Sequence, residues 1–425
     1  MTFQKYPEYK DSHVEWLGEM PGHWIRGSLK NLAWIRNGKD YKDVESSDGE
    51  YPVIGSGGMF SKASQYLHDG ESVLLGRKGT IDKPLYINGR FWTVDTMFYT
   101  EVAKGTSAKF LYYYALTIPF EFYSTSTALP SMTQGDLLNH PAAIPSNFEQ
   151  TQIARFLDHE TARIDALIEE QQRLIELLKE KRQAVISHAV TKGLDPTVPM
   201  KDSGAEWLGE VPAHWETLRI GAVYSEAADK GLAELPVLRV SIHHGVSDKE
   251  LSEEESDRKI TRIDDREKYK RVRPGDLVYN MMRAWQGGFG AVLVDGLVSP
   301  AYVVARPKNE DISRYVEQLL RTGCAVEEMR KNSYGITDFR LRLYWDQFKN
   351  IVIVIPPEVE RQQIMERIDS LINESEALKS EADRLIVILQ ERRSALISAA
   401  VTGKIDVRGW HPVTSARSPE LEEAV

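Results

Sequence analysis

Apolar residues recur at intervals of three, four and seven through a segment that contains neither proline nor glycine. This segment runs from Gln150 to His188. Such spacing places the apolar residues on one stripe of a helix, as in coiled coils. The stripe consists of Leu157, Ile164, Leu167, Leu174, Leu178 and Val185. The pattern predicts a helix over 149–192, about 60 Å long at a rise of 1.5 Å per residue.

A second segment near the C-terminus shows the same spacing. Its stripe consists of Ile368, Leu371, Leu378, Leu385, Leu389 and Leu396. This predicts another long helix over 359–403, with Gly193 and Gly403 as stop signals after the two helices. Polar Gln171 and Ser375 interrupt the stripes, and such residues often fix the register of paired helices. We expect the helices to pair antiparallel with each other; the alternative is that each packs on its own domain.

The chain contains an internal repeat. KDSHVEWLGEMPGHW begins at Lys10, and KDSGAEWLGEVPAHW begins at Lys201, 191 residues later. A second pair of matching blocks begins at Ile144 and Ile355, 211 residues apart. The second copy therefore carries 20 more residues between its matching ends. This arrangement predicts a pseudo-two-fold molecule with one globular segment per copy.

The segment between the matching blocks, called the middle of each copy, differs in sequence between the two copies. Both middles are predicted to be mixed α/β. Short apolar runs predict strands, and glycine clusters at 55–58 and 287–290 predict turns. The predicted strands are Tyr51–Ile54, Ser72–Gly76, Asp276–Tyr279 and Val292–Val294, and Lys109–Leu116 is predicted to be a short helix. The expected fold class is α+β, with two mixed α/β domains in tandem joined by two long antiparallel coiled-coil helices.

Two loops carry candidate binding residues. Arg77, Lys78 and Thr80 follow the predicted strand of the first middle, and Lys83 and Arg90 are nearby in sequence. In the corresponding place of the second middle are Asn280, Arg283 and Gln286. Arginine, lysine and amide side chains read base edges in the major groove and also bind phosphate. The alternative is a pair of solvated loops with ordinary salt bridges.

Composition limits the class of protein. The 42% share of apolar residues supports buried cores, and a net charge of −10 argues against a general basic sheath around nucleic acid, although local basic patches remain compatible. The single cysteine, Cys324, excludes a disulfide framework and a cysteine-based zinc site. The N-terminal segment is polar, and no apolar run is long enough to cross a bilayer. We therefore expect a cytoplasmic protein.

Motifs for catalysis are not found. The sequence contains no P-loop, no continuation of its glycine cluster into a dinucleotide-binding motif, and no HExxH zinc motif. It also lacks an aminomethyltransferase Asn- or Asp-Pro-Pro-Tyr run and a nuclease-like cluster of carboxylates and lysine. We expect no enzyme activity, no metal and no catalytic residue in this chain.

The repeated blocks resemble those of specificity subunits of Type I restriction–modification systems. The resemblance rests on both tryptophan-containing blocks, on the Ile-Pro entries into the helices, and on the Ile-Ser-x-Ala-Val-Thr endings at Ile186 and Ile397. It covers the chain to about Asp406. It implies target-recognition domains at 1–148 and 193–358, a central spacer helix at 149–192 and a distal one at 359–403. The tail at 404–425 is expected to be disordered.

The resemblance implies a non-catalytic DNA-recognition subunit. Each domain would read one half of a split, asymmetric site on double-stranded DNA, and the helices would set the gap and seat two methyltransferase (modification) subunits. Restriction/translocase subunits would join this assembly. S-adenosylmethionine and ATP are expected in those partners, so no cofactor is expected here. A protein of another class is the alternative: a coiled-coil scaffold whose globular ends bind protein partners.

Overall fold

The computed structural model describes residues 4–123, 130–242, 245–249, 266–308, 312–335 and 341–412. The chain forms two compact units. Unit 1 comprises Met1–Gln172 and Asp383–Val425, and unit 2 comprises Arg173–Ala382. Each unit therefore contains one globular segment, the first half of one long helix and the second half of the other.

The main sheet of unit 1 has six strands in the order β4-β9-β7-β8-β5-β6, with β5 and β8 parallel and the other neighbours antiparallel. Two short antiparallel pairs, β1–β2 and β3–β10, lie outside it. The strands are β1 (Tyr9–Asp11), β2 (Glu19–Pro21), β3 (Ile25–Ser28), β4 (Ala33–Asn37), β5 (Tyr51–Gly55), β6 (Gly58–Ala63), β7 (His68–Gly76), β8 (Leu85–Thr93), β9 (Met97–Val102) and β10 (Pro141–Ile144).

The α-helices of this part of the chain are α1 (Ala108–Ala115) and α2 (Gln134–Leu138), both before β10, and the long α3 (Asn147–Lys192) after it. The hydroxyl of Ser107 accepts a hydrogen bond from the backbone N–H of Phe110, which caps α1. Helix α1 confirms the predicted short helix to within one residue at each end, and β5 and β7 confirm the two strands expected here.

Unit 2 repeats this plan with a smaller main sheet, in the order β14-β21-β18-β19. Its strands are β11 (Met200–Asp202), β12 (Glu210–Pro212), β13 (Glu216–Arg219), β14 (Tyr224–Ala227), β15 (Val240–Ser241), β16 (Gly245–Val246), β17 (Lys270–Val272), β18 (Leu277–Asn280), β19 (Phe289–Ala291), β20 (Gly296–Val298), β21 (Tyr302–Pro307) and β22 (Val352–Ile355). Its helices are α4 (Ile220–Val223), α5 (Ser313–Leu320), α6 (Gly323–Lys331), α7 (Trp345–Phe348) and the long α8 (Glu358–Val401).

The strand expected at Val292–Val294 is wrong. Strand β19 ends at Ala291, and Val292 instead exchanges backbone hydrogen bonds with Gly275 and Asp276. Leu293 is exposed, and the chain then reaches β20 at Gly296. The apolar run does not form a strand because the backbone leaves β19 at this point and turns before β20.

The long helices pack antiparallel in each unit. In unit 1 the core contains Phe156 near the start of α3 and Ile397 near the end of α8, and Asp165 forms an ion pair with Arg393. In unit 2 the core contains Ile186 from the end of α3 and Ile368 from the start of α8. There, Arg182 forms an ion pair with Glu376. The predicted pairing of the helices is confirmed.

The predicted stripes are partly wrong in phase. Ile164 is buried and Leu178 is half-buried, but Leu167 and Leu174 are exposed. Ile168, the neighbour of Leu167, is half-buried in its place. Helix α8 behaves in the same way: Leu378 and Leu385 are exposed, whereas Ser375 is buried. The error arises because adjacent residues are both apolar, so the sequence permits two stripes and packing selects one.

Residues 404–412, expected to belong to a disordered tail, lie on α3. The side-chain amide of Gln152 donates hydrogen bonds to the carbonyls of Val407 and Trp410. The indole of Trp410 packs edge-on against Phe156. The remainder of the expected tail, 413–425, lies outside the described residues.

Candidate functional site

A buried carboxylate in the first turn of α3 organises unit 1. Glu149 accepts hydrogen bonds from the Tyr6 hydroxyl at 2.7 Å, His23 Nε2 at 3.0 Å and Trp24 Nε1 at 3.0 Å. Burial, followed by the hydrogen bond to Glu149, raises the pKa of Tyr6, so its phenol remains a donor. Two members of the repeated block thus bind the start of the helix.

Unit 2 contains the matching arrangement. Glu360, in the first turn of α8, accepts hydrogen bonds from His214 Nε2 at 2.7 Å and Trp215 Nε1 at 3.0 Å. The histidines and tryptophans are separated by 191 residues in sequence, and the two glutamates by 211. These are the same two offsets that define the repeat.

The same tryptophans also pack against the ends of the long helices. Gly193, which ends α3, has φ +82°, and a Cβ placed there would lie 3.3 Å from the Trp215 ring. Gly403, after α8, has φ +74°, and its Cβ would lie 2.3 Å from Pro21 and 3.2 Å from Trp24, both in the repeated block. Glycine permits both the left-handed turn and the close approach of the ring. In each unit the repeated block therefore ties together the start of one helix and the end of the other.

The candidate loop of unit 1 follows β7 and is tied to the turn between β8 and β9. The backbone N–H groups of Arg77 and Lys78 both donate to the carbonyl of Thr96. The guanidinium of Arg77 donates to the carbonyl of Asp95 at 3.2 Å and lies 5.9 Å from the centre of the Phe98 ring. Arg77 is thus half-buried and engaged within the unit, whereas Lys78 and Thr80 are exposed.

The candidate loop of unit 2 follows β18 and is internally bonded. Asn280 Oδ1 accepts from the backbone N–H of Met282 at 3.0 Å, so this side chain stabilises the turn. Arg283 Nη1 donates to Gln286 Oε1 at 2.7 Å. The structure therefore brings Arg283 and Gln286 together, both half-buried, and gives Asn280 a local structural contact.

A matching backbone hydrogen bond in each unit shows that the two loops occupy equivalent places. In unit 1 the N–H of Met132, just before α2, donates to the carbonyl of Arg77 at 3.0 Å. In unit 2 the N–H of Leu343, just before α7, donates to the carbonyl of Met281 at 2.9 Å. Each loop thus follows a central strand and pairs with the segment that leads back to the shared helices.

Other residues noted beside the first loop are partly engaged. Arg90 Nε binds Asp69 at 2.9 Å, and its guanidinium lies 5.0 Å from the centre of the Tyr66 ring. The hydrogen bond to Asp69 raises the pKa of Arg90. Lys83 is exposed. The side chain of Arg90 is therefore already engaged in contacts within unit 1.

A cleft beside the Arg77 loop was missed in the sequence. It has a volume of about 530 Å³ and is lined by Tyr41, Gly55, Ser56, Gly57, Gly58, Phe60, Val94, Asp95 and Thr96. A usable signal was present: the glycine cluster is followed directly by Met59-Phe60, an apolar pair at an exposed hairpin. The glycine cluster by itself predicts only a turn.

The described residues contain no group of three or more histidine, cysteine, aspartate or glutamate side chains placed to hold a metal ion. Within the same part of the chain, no helix has the length and apolar character needed to cross a membrane.

Comparisons of sequence identify relatives of one kind. The family model described as "Type I restriction modification DNA specificity domain" matches residues 21–178. The specificity subunit of the Type I restriction enzyme EcoDI from Escherichia coli is 20% identical over 423 residues, covering 95% of this chain and 92% of that protein. The MjaVIII specificity subunit from Methanocaldococcus jannaschii is 23% identical over 449 residues, covering 96% and 98%.

Comparison of folds gives the same architecture. A chain solved under the description "Structural basis underlying complex assembly and conformational transition of the type I R-M system" superposes with a TM-score of 0.59 at 16% identity. The match covers 90% of this chain and 98% of that one. The predicted α+β fold with paired long helices is therefore confirmed. The chain is therefore similar, over nearly its whole length, to specificity subunits of Type I restriction enzymes, and residues 21–178 match the model of a DNA specificity domain of that kind.

Proposed function

We propose that each unit reads one half of a split, asymmetric target on double-stranded DNA. One observation carries this proposal: two loops in equivalent places, marked by the Met132–Arg77 and Leu343–Met281 hydrogen bonds, differ in sequence while their supporting frame is repeated. A shared frame presents both loops in the same way to a ligand. Different side chains on the loops then select different base sequences.

The residues proposed to contact DNA are Arg77, Lys78 and Thr80 in unit 1 and Asn280, Arg283 and Gln286 in unit 2. Their contributions differ in kind. Lys78 is an exposed point charge that suits a phosphate. Arg283, already oriented by Gln286, suits bidentate contact with guanine. The two half-sites are therefore expected to have different sequences.

The long helices are proposed to fix the number of unread base pairs between the half-sites. Helices of 46 and 44 residues are each about 65–70 Å long at 1.5 Å per residue. Two helices packed along this length would resist bending. Spacing between two readers then becomes a geometric property of the protein, as it is in dimers that bind paired half-sites.

Exposed apolar residues on these helices support the docking of partner subunits. Clusters of exposed apolar side chains commonly mark protein interfaces. The exposed residues are Leu167, Leu174 and Leu177 on α3, and Leu378, Leu385, Val387 and Ile388 on α8. We assign them to two modification subunits, to which restriction/translocase subunits are added. S-adenosylmethionine and ATP would bind those partners, in the cytoplasm, and this chain would carry no cofactor.

The test is to co-express the chain with the modification subunit of its system and to map methylated adenines across the host genome. A two-part motif with different halves and a constant gap is expected. Methylation at a continuous motif, or no methylation by an assembled complex, would contradict the proposal.

A salt titration separates this function from that of a protein-binding scaffold. Binding of the assembled complex to target DNA should weaken steeply as salt increases, because phosphate contacts release counterions. Absence of DNA binding by a well-assembled complex would favour the scaffold instead.

A further inference from the structure

The β5–β6 hairpin of unit 1 presents apolar side chains at an exposed tip. Ser61 lies opposite Val53 and Met59 lies opposite Ile54, so Phe60 is the extra residue of a β-bulge. Bulges redirect side chains and are common beside functional sites. The Phe60 side chain is held edge-on against Tyr41, with ring centroids 5.2 Å apart, yet 54% of the residue remains exposed.

The hairpin is continuous with the loop already proposed to contact DNA. Phe60, Tyr41 and the Val94–Thr96 turn all line the cleft. That turn accepts hydrogen bonds from Arg77 and Lys78. Any duplex that reaches the Arg77 loop therefore comes close to the cleft.

The chemistry of the cleft favours a base edge. An exposed aromatic ring suits the 5-methyl group of thymine. The Asp95 carboxylate suits the amino group of an adenine or cytosine and opposes a phosphate. Lys39 and Lys42, on either side of Tyr41, are exposed cations without a side-chain ion pair in the described part of the chain, and they suit the phosphates at the rim.

We propose that Phe60, in the cleft between the β5–β6 hairpin and the Val94–Thr96 turn, recognises the 5-methyl group of a thymine in the half-site read by unit 1. This inference rests on the proposed function and specifies one residue of it. In unit 2 the β15–β16 pair lies beside β19 but outside the four-stranded main sheet. The thymine contact is assigned to Phe60 and therefore to the half-site read by unit 1.

The experiment uses the complex of this chain with its modification subunits and duplexes carrying the mapped target. Each thymine of the unit 1 half-site is replaced in turn by deoxyuridine, which removes the methyl group alone. The wild-type complex should bind one substituted duplex about four- to tenfold more weakly, the value of one buried methyl group. Phe60→Ala should bind the thymine and uracil duplexes equally.

Trp34→Ala is the matched control. Trp34 is 56% exposed and lies on β4, at the opposite edge of the same sheet, so its loss should leave the thymine preference intact. Equal binding of thymine and uracil by the wild type, an unchanged preference in Phe60→Ala, or a unit 1 half-site without any A·T pair would each overturn this inference. The proposed function fails separately, if the wild-type complex does not methylate a two-part site.

Discussion

Units 1 and 2 share a frame and differ in the surface that the frame presents. In both, a glutamate in the first turn of a long helix accepts hydrogen bonds from the histidine and tryptophan of the repeated block. The main sheets, by contrast, have six and four strands. The contacts that hold the helices are therefore the same in both units, whereas the sheets beyond them differ.

The frame itself is not identical in the two units. Glu149 has a third donor, Tyr6, and its side chain is 3% exposed, whereas that of Glu360 is 23% exposed. Asp406 and Arg408 lie against Tyr6 as well, through charge interactions and a contact of the Arg408 guanidinium with the ring. Unit 1, which contains both ends of the described chain, therefore has the more enclosed carboxylate.

The largest expected difference comes from removing these carboxylates. Glu149→Ala should destabilise unit 1 by about 4 kcal/mol, because it leaves buried donors without an acceptor, and Glu360→Ala should cost unit 2 about 2 kcal/mol. Hydrogen exchange should show the loss of protection in 4–24 for the first variant and in 199–215 for the second. Glu149→Gln, which keeps one acceptor oxygen, is the control and should lose less; equal effects of the two alanine variants would contradict the comparison.

The second prediction concerns a position where one unit has histidine and the other isoleucine. Burial lowers the pKa of His140 to about 4, and the equivalent residue by the offset of 211 is Ile351. The unfolded chain, with a histidine pKa near 6.5, binds a proton that the folded chain does not. Stability of unit 1 should therefore fall as pH decreases from about 6.5 towards 4, by about 3 kcal/mol.

Urea unfolding at several pH values measures this effect. His140→Ile should remove that part of the pH dependence, while the contribution of unit 2 at Ile351 stays constant. The same slope in wild type and His140→Ile would show that His140 is not its cause.

The third prediction tests the division of labour between the loops. Arg283→Ala should relax recognition in one half-site, at about 2 kcal/mol, if the guanidinium contacts guanine. Lys78→Ala should weaken binding evenly across sequences and reduce the salt dependence by about one phosphate contact. Methylation of libraries randomised in one half-site measures the sequence preference of both variants, and the salt titration of DNA binding measures the salt dependence of Lys78→Ala. Lys331→Ala, an exposed cation on α6, is the control, and loss of preference in both half-sites for Arg283→Ala would contradict separate readers.

The smallest expected effect lies in the ion pairs between the helices. Arg393 binds Asp165 through two nitrogens, at 2.8 and 3.3 Å, and Arg182 binds Glu376 through one, at 2.7 Å. All four side chains are partly exposed, so each pair should contribute about 0.5 kcal/mol, with the two-contact pair stronger. Double-mutant cycles at low and high salt measure the coupling. A coupling that persists unchanged in 1 M salt would contradict this.

The sequence predicted the frame well because its residues are repeated and its helices are long. Glu149 and Glu360 were nevertheless missed, because an acidic residue in the first turn of a helix is common for electrostatic reasons alone. Their partners lie more than a hundred residues away in the chain. Local pattern does not identify contacts at that separation.

Prediction was weaker at the candidate site. The positions of both loops followed from a strand ending in polar residues, but the inward contact of Arg77 depends on Asp95, which belongs to another turn. The internal Arg283–Gln286 bond was likewise not evident from spacing. The residue types that suggest DNA binding also form ordinary contacts within a domain, and packing decides between them.

The pairing of β3 with β10 has a consequence for the history of such chains. The backbone enters the individual middle of unit 1 along Ile25–Ser28 and leaves it along Pro141–Ile144, two hydrogen-bonded neighbours. In unit 2, β13 and β22 form the equivalent antiparallel pair. A gene segment exchanged between such strands would insert a new middle with its two ends already side by side. On the proposed function, recombination at these points would replace the residues that read one half-site and leave the paired helices unchanged.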